Sequence, residues 1–528
     1  MSRLLRACLL CLVLSVAGAL AAAPAGAKTV PGSPPFRVLL LDHISDGVFR
    51  RLASRGAVGL LVPGVGPTTN RRQALAELLR AAEVNSRMGG IPTGPRLLAA
   101  SRVTGTPTGS DVIVLDLPPS GAPVANDRMY RIAVIGRGFH GLLVSNTTRI
   151  AGLVSIVDVA PTALGHQRGT LTSVPSTTPI AELASLDHQI HGNNRLKFAA
   201  LFIVAGALLL LSFLGLRATA TAVPAALLAN IGLGVAQVSN EVAICAVLTI
   251  GTLLGAFWLA RVCRGDGALL ALYVGVVLVH VLLLVARPEW VAITPLGPTQ
   301  NTRFWGIGNQ METLLLVPLF AGTLLAARRF GVIGFAVLAL LGFFVMADNR
   351  LGADGGGAIV LGVGLALLGW RVLRLRVTGF VTLLLLAATI VLGIVSENLR
   401  HPGPNHLRSA FGHGLQGLLA VAENRVPLAY EPALAQWPMT LSLAVVFVAV
   451  FVLALRSARR RPTRDLLFAL AAAVPTSLLV NDSAAYVLAG GVAAVAAFAR
   501  FTPSYEPVGV TQLAHAALEA QPVRSRDY

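Results

Sequence analysis

METLLLVPLFAGTLLAARRFGVIGFAVLALLGFFVMADNRLGADGGG, residues 311–357, holds two apolar runs with a different punctuation at each end. Arg328 and Arg329 separate the runs, while Asp348, Asn349, Arg350 and Asp354 with a glycine cluster follow the second. Each run is near the length needed to cross a hydrocarbon core of about 30 Å, which takes roughly 20 apolar residues as a helix. Extended in both directions, the same alternation predicts eleven helical spans, near 198–216, 219–238, 242–260, 268–286, 311–327, 331–347, 356–370, 377–396, 439–455, 465–480 and 484–499. Several are short, so their ends belong at the interface.

The arginines orient this array. Every second turn is basic: Arg217, Arg261, Arg264, Arg328, Arg329, Arg371, Arg374, Arg376, Arg456, Arg459, Arg460, Arg461 and Arg464, with Arg500 past the last run, make fourteen. The other turns hold six: Arg287, Arg303, Arg350, Arg400, Arg408 and Arg425. Cytoplasmic loops carry the excess of basic residues, so the first set is expected inside and the polar turns outside. Composition agrees, with 55% hydrophobic and 12% charged residues and a mean hydropathy of +0.73. The net charge of +18 sits at span ends, as membrane anchors do, which argues against nucleic acid as a partner and for the lipid bilayer. Lysine occurs only at Lys28 and Lys197.

The N-terminus fits the same orientation. Arg3 and Arg6 precede an apolar stretch that ends in Ala25-Gly26-Ala27, the pattern of a signal peptide over residues 1–27. Residues 28–195 then differ in texture. RVLLL (37–41), DVIVLDL (111–117) and IAVI (132–135) read as buried parallel strands. NRRQALAELLRAAEV (70–84) has helical spacing, with Glu77 and Arg80 expected outward. A small α/β extracytoplasmic domain follows from this alternation. It contains no cysteine: Cys8 and Cys11 lie in the signal region, Cys245 and Cys263 in or beside a span. The expected organisation is thus signal peptide 1–27, α/β domain 28–195, an all-α polytopic membrane bundle of about eleven helices over 196–500, and a cytoplasmic tail 501–528.

VLLLDHISDG (38–47), PGVGPTT (63–69) and the stretch 138–164 ending in DVAPTAL resemble the opening and the close of alkaline-phosphatase-superfamily domains. The resemblance implies that Asp42 or Asp46 stands where that family's first metal ligand lies, and Thr68 or Thr69 where its nucleophile lies. A two-metal site needs further Asp and His side chains. The family's late Asp-His pair is replaced here by Ile135-Gly136-Arg137-Gly138, His140 is isolated, and Asp187-His188 falls in a polar linker before the first span. The domain is also much shorter than active members. The implied reading is a truncated, degenerate module without a metal site, which binds a protein partner rather than turning over a substrate.

Five polar segments fall on the expected outer face: Asn240-Glu241, RFWGIGNQME (303–312), DNRLGADGGG (348–357), HPGPNHLR (401–408) and Asn481-Asp482-Ser483. A charged group in mid-span costs about 2.5–3.5 kcal/mol on insertion scales, so such groups persist where they pair, bind a ligand or meet water. Asn240-Glu241 and Arg287 read as ordinary wetted turns. Arg303, Asn309, Glu312, Asn349, Asp354, His406, Asn481 and Asp482 form the candidate substrate-binding set. The glycines at 362, 364 and 369 read as helix-packing positions. The segments RFWGIGNQ, GADGG and NDS also resemble the recurring pieces RF(Y)GIGNE, GA(N/D)xGG and NDSG of an uncharacterised group of bacterial multispan membrane proteins with phosphatase-like ectodomains. This chain departs at Gln310, where an acid is usual, and at Ala484, where glycine is.

Three functions are compatible with that pattern. The first is an envelope protein that binds or processes a lipid-linked or phosphate-bearing substrate at the outer face, where a divalent cation is the cofactor its carboxylates would suit. The second is a transporter or flippase, against which stands the scarcity of polar residues at mid-depth beyond Asn230. The third is a non-enzymatic scaffold.

Overall fold

A computed structural model describes residues 36–64, 68–81, 100–102, 111–165, 171–298, 304–348, 351–352, 355–400, 433–481 and 483–502. The expected signal peptide, most of the expected tail, and the candidate residues Arg303, Asn349, Asp354, His406 and Asp482 lie outside the described residues.

The α/β domain is built on a mixed sheet whose strands are β1 (Arg37–Leu41), β2 (Ala57–Val62), β4 (Ala100–Arg102), β5 (Val112–Asp116), β7 (Tyr130–Ile135), β8 (Gly141–Ser145), β9 (Leu153–Ser155) and β10 (Leu171–Val174). The spatial order is β10-β8-β2-β7-β5-β1-β4, with β9 also pairing β2. A small second ladder joins β3 (Thr68–Thr69) to β6 (Val124–Ala125). β1 runs parallel to β5, as expected, and to the unpredicted β4, but β7 is antiparallel to both β5 and β2. The short excursion between β5 and β7 carries no crossover helix, which a parallel return would need. β2, unpredicted, is buried along its whole length.

Because side chains alternate across a strand, the sheet has two apolar faces. On one, Leu39, Leu41, Val58, Leu60, Val112 and Val114 meet Phe49 and Leu52 of α1 (Asp46–Ala53) and Leu183 and Ile190 of α4 (Pro179–Arg195). On the other, Val38, Leu40, Ile113, Leu115, Ile132 and Val134 meet Ala74 and Leu78 of α2 (Arg71–Arg80) and Val159 and Ala163 of α3 (Val159–Ala163). Asn70 caps α2 by accepting from Gln73 N at 2.8 Å. Glu77 does not face outward: it is fully buried, its Oε1 takes a bond from Gln73 at 3.1 Å, and its carboxylate lies against Gly64. The positive φ of Gly64 and the close carboxylate leave that position no room for a Cβ.

The segment expected to be a polar linker is helix α4, and it continues into α5 (Lys197–Phe213) through a bend of 51°. There follow α6 (Thr219–Val235), α7 (Glu241–Val262), α8 (Asp266–Ala286), the short α9 (Glu289–Ala292), α10 (Asn309–Ala347), α11 (Gly355–Val372), α12 (Val377–Arg400), α13 (Trp437–Ser457), α14 (Arg461–Val480) and α15 (Ala484–Ala499). Helix covers most of every predicted apolar run, with 214–216 and 236–238 left outside it. Among the described residues six helices are long and apolar enough to cross a membrane, seven if the bent pair counts as one span. The long α10 is two legs rather than one rod. Gly331 leaves the helical region (φ 64°), and Leu319 lies against Gly342, Leu338 against Gly322 and Ala326 against Gly334. Those pairs close on one turn, so the legs run antiparallel on either side of Arg328 and Arg329.

One apolar core joins these helices. Gly364 admits the Phe320 ring and Gly369 the Phe335 ring, which gives those glycines the packing role expected of them. The two ends of the bundle differ in character. At one, Arg371 and Arg461 bracket Asp465, at 2.7 and 3.7 Å, Arg371 covers the Phe468 ring, and Arg500 donates to Ser212 O at 2.7 Å. At the other, Ala292, Ile293 and Phe304 join the same apolar cluster as β1, α1 and α4. The α/β domain is therefore seated on the end opposite the arginines.

Candidate functional site

At the end beneath the α/β domain, three of the sequence motifs meet. Ile307 N donates to Gly352 O at 2.8 Å, which joins the GIGNQME segment to the GADGGG segment. A Cβ on Gly352 would lie 2.3 Å from Val345 O and 2.4 Å from Met346 O, so only glycine allows the chain to pass there. Glu312, in the first turn of α10, reaches the third motif. Its Oε2 accepts from Asn481 Nδ2 at 2.7 Å, and its Oε1 from Ser477 Oγ at 3.4 Å. Asn481 Nδ2 also donates to Ser477 Oγ at 2.8 Å. Glu312, Ser477 and Asn481 are all buried.

Helix phase explains why these side chains meet. α14 ends at Val480, and Asn481 closes its last turn by donating N–H to Ser477 O at 2.9 Å. Residues four apart share a helix face, so Ser477 and Asn481 present two hydroxyl and amide groups side by side to α10. α15 packs on the same stretch, with Gly490 against Thr313. Asn309 is half-buried one turn before Thr313, whose hydroxyl donates to its carbonyl at 2.9 Å. Of the eight residues proposed for this site, the structure brings together Glu312 and Asn481 and places Asn309 nearby. Ser477 was not foreseen, because a serine inside an apolar helix gives no signal until its partner is known.

Gln310 points the other way. Its Nε2 donates to Pro295 O at 3.2 Å and to Gly297 O at 2.8 Å. Residues 293–298 form an irregular segment that is buried throughout, and such backbone is tolerated at membrane depth only when protein groups satisfy it. Asn230 takes Leu296 N at 3.2 Å and gives to Thr294 Oγ1 at 3.0 Å, and Asn193 Nδ2 lies 3.4 Å from Ile293 O. Asn230, read from sequence as a rare mid-depth polar group, is thus a tie for this segment.

The α/β domain's acids behave differently. Asp42 is exposed and pairs with Arg71 at 3.2 Å. Asp46 bonds to Arg131, whose guanidinium holds that carboxyl below the ordinary range. Thr68 is exposed and Thr69 buried, both in the small β3–β6 ladder. The carboxylate that organises this end of the sheet is one the sequence reading passed over. Asp116 accepts from Ile44 N at 3.0 Å and Arg131 N at 2.6 Å, with His43 Nδ1 at 3.8 Å, and burial pushes its carboxyl up. The aspartate of DVAPT is structural as well. Asp158 is fully buried and accepts from Ser145 Oγ, Thr147 N and Thr147 Oγ1, and desolvation pushes its carboxyl up to about 6. Thr162 donates to Asp158 O at 2.6 Å and receives Leu171 N at 2.8 Å. Among the described residues no cluster of three or more His, Cys, Asp or Glu side chains is arranged to hold a metal.

No family model matches the chain, and neither a curated protein nor a solved structure shows significant similarity to it. The function has to be argued from the arrangement itself.

Proposed function

We propose that this chain is a polytopic cell-envelope membrane protein whose outer-face polar site binds or processes a lipid-linked or phosphate-bearing substrate, with the α/β domain as a non-catalytic recruiting module above it. The arginine-poor end that carries that domain faces outward on this reading, all eleven apolar helices cross, and the N-terminal segment is a signal peptide. The carrying observation is the buried Glu312 carboxylate, held by Asn481 and Ser477 where the GIGNQME, GADGGG and NDS segments converge. Asn481 and Ser477 offer it neutral amide and hydroxyl groups, and it sits at the end where a membrane-borne substrate would meet the domain. A carboxylate so placed can orient a substrate hydroxyl, accept its proton, or bind a divalent cation shared with a phosphate. The arginine partners of Asp42 and Asp46 support the non-catalytic role of the domain, since a guanidinium stands beside each carboxylate where the resemblance implies a metal.

The reciprocal swap Glu312→Gln with Asn481→Asp tests this. The double variant keeps an acid–amide hydrogen bond but moves the charge to the other helix. Expected is normal abundance in the membrane with loss of complementation in a strain lacking the gene. Full complementation by the swap would assign the pair a packing role and remove the site.

A further inference from the structure

Lys197 is the one lysine in the bundle of a chain that otherwise uses arginine throughout it. It starts α5 just past the bend, is 3% exposed, and its Nζ has one hydrogen-bond partner among the described residues, Gly297 O at 3.5 Å. No carboxylate pairs with it among the described residues. An amine so placed leaves most of its hydrogen-bonding capacity unused, and a buried ammonium without an anion is costly. The same Gly297 carbonyl receives Gln310 Nε2, so the two side chains flank one point. Gln310 is also 3% exposed, and its Oε1 has no hydrogen-bond partner among the described residues. The amino end of α10 opens beside them: its cap residue Gly308, which gives no side-chain cap, lies against Pro298 and Gly297. Helix amino ends favour anions.

We infer that Lys197, Gln310 and the start of α10 form a binding site for a singly protonated phosphate, borne by a lipid or free. The chemistry selects that anion. A phosphate oxygen would meet the Lys197 ammonium and the helix amides, while a P–OH would donate to the orphaned Gln310 Oε1. A carboxylate or sulfate offers no such donor at neutral pH. The inference deepens the proposed function by naming the phosphate-bearing part of its substrate, yet it stands on residues on the opposite side of α10 from Glu312.

The test uses the full-length protein in detergent, with thermal unfolding followed against inorganic phosphate, a single-chain alkyl phosphate and sulfate. Expected is saturable stabilisation by at least one phosphate probe, at least ten-fold weaker binding of sulfate, and at least ten-fold weaker phosphate binding in Lys197→Met. A tighter alkyl phosphate identifies a lipid-borne group; equal affinity identifies free phosphate. Absence of saturable stabilisation by either phosphate probe, or unchanged affinity in Lys197→Met, overturns the site. Should Lys197→Met fail to accumulate, Gln310→Met carries the test: loss of the preference for phosphate over sulfate supports the site, and a retained preference overturns it. The Glu312–Asn481 swap is read by complementation and this site by phosphate stabilisation in Lys197→Met, so failure here and failure of the Glu312–Asn481 reading are separable.

Discussion

The two acids of the α/β domain that the phosphatase resemblance singles out and the acid at the bundle site are held in opposite ways. At the strand ends of the domain, Asp42 and Asp46 are exposed and each has an arginine partner. At the domain-facing end of the bundle, Glu312 is fully buried and its amide partner comes from a helix 169 residues away in sequence. An exposed acid beside an arginine is screened and contributes little, whereas burying a carboxylate is expensive and persists only with good reason. The lesson is that the two acids a phosphatase resemblance singles out are not the ones the fold buries.

The sharpest way to break this comparison is at the junction of the bundle motifs. Gly352→Ala would force a Cβ to within 2.4 Å of two carbonyl oxygens, so the variant is expected to be absent from the membrane fraction when assayed by immunoblot. Next in size, Glu312→Ala removes the carboxylate acceptor of the buried Asn481 amide. A loss of about 1–3 kcal/mol is expected, visible as a lower unfolding midpoint in detergent. Asp116→Ala strips Ile44 N and Arg131 N of their acceptor and should cost a similar amount, though confined to the α/β domain. Limited proteolysis would then cut within that domain and spare the helices.

Asp158 sharpens the contrast through pH. Its folded carboxyl, at about 6, lies above the value for an unfolded chain, so the folded domain holds the proton more tightly. Stability from this group is fully present below the unfolded value and is lost as pH rises through about 6. The unfolding midpoint of the domain should fall over that window, and Asp158→Asn should flatten the fall. The smallest effect is expected at the exposed pair. Arg71→Gln, which releases Asp42, should shift stability by less than about 1 kcal/mol and leave complementation intact. Stoichiometric Mn²⁺ binding that Asp42→Asn abolishes would reverse the assignment of the domain as non-catalytic.

Much of the bundle was legible because lipid imposes a one-dimensional rule. Apolar length and arginine position are local, and each predicted run became a helix. The hairpin at Gly331 was legible for the same reason, through its Arg328-Arg329 turn. In the α/β domain the rule weakens. Glu77 was read as outward from its charge, but its position in α2 faces Gly64, and a partner for it is set by tertiary packing. β7 was read as parallel because a buried apolar run has no direction of its own. At the site, Glu312 and Asn481 were each picked from their motifs, but their meeting depends on the phase of α10 and α14 across a long separation. That phase also divides Gln310 from Glu312, two neighbours in sequence that serve different sides of one helix.

The single-residue elbow between α4 and α5 has a mechanical corollary. No flexible tether intervenes between the sheet, on which Leu183 and Ile190 rest, and the bundle that α5 enters at Lys197. An extra residue inserted at the 51° elbow would turn everything upstream by about 100° about the helix axis. The sheet is thus held at a fixed height and azimuth relative to the bundle, and the molecule should tolerate lengthening there only in whole helical turns.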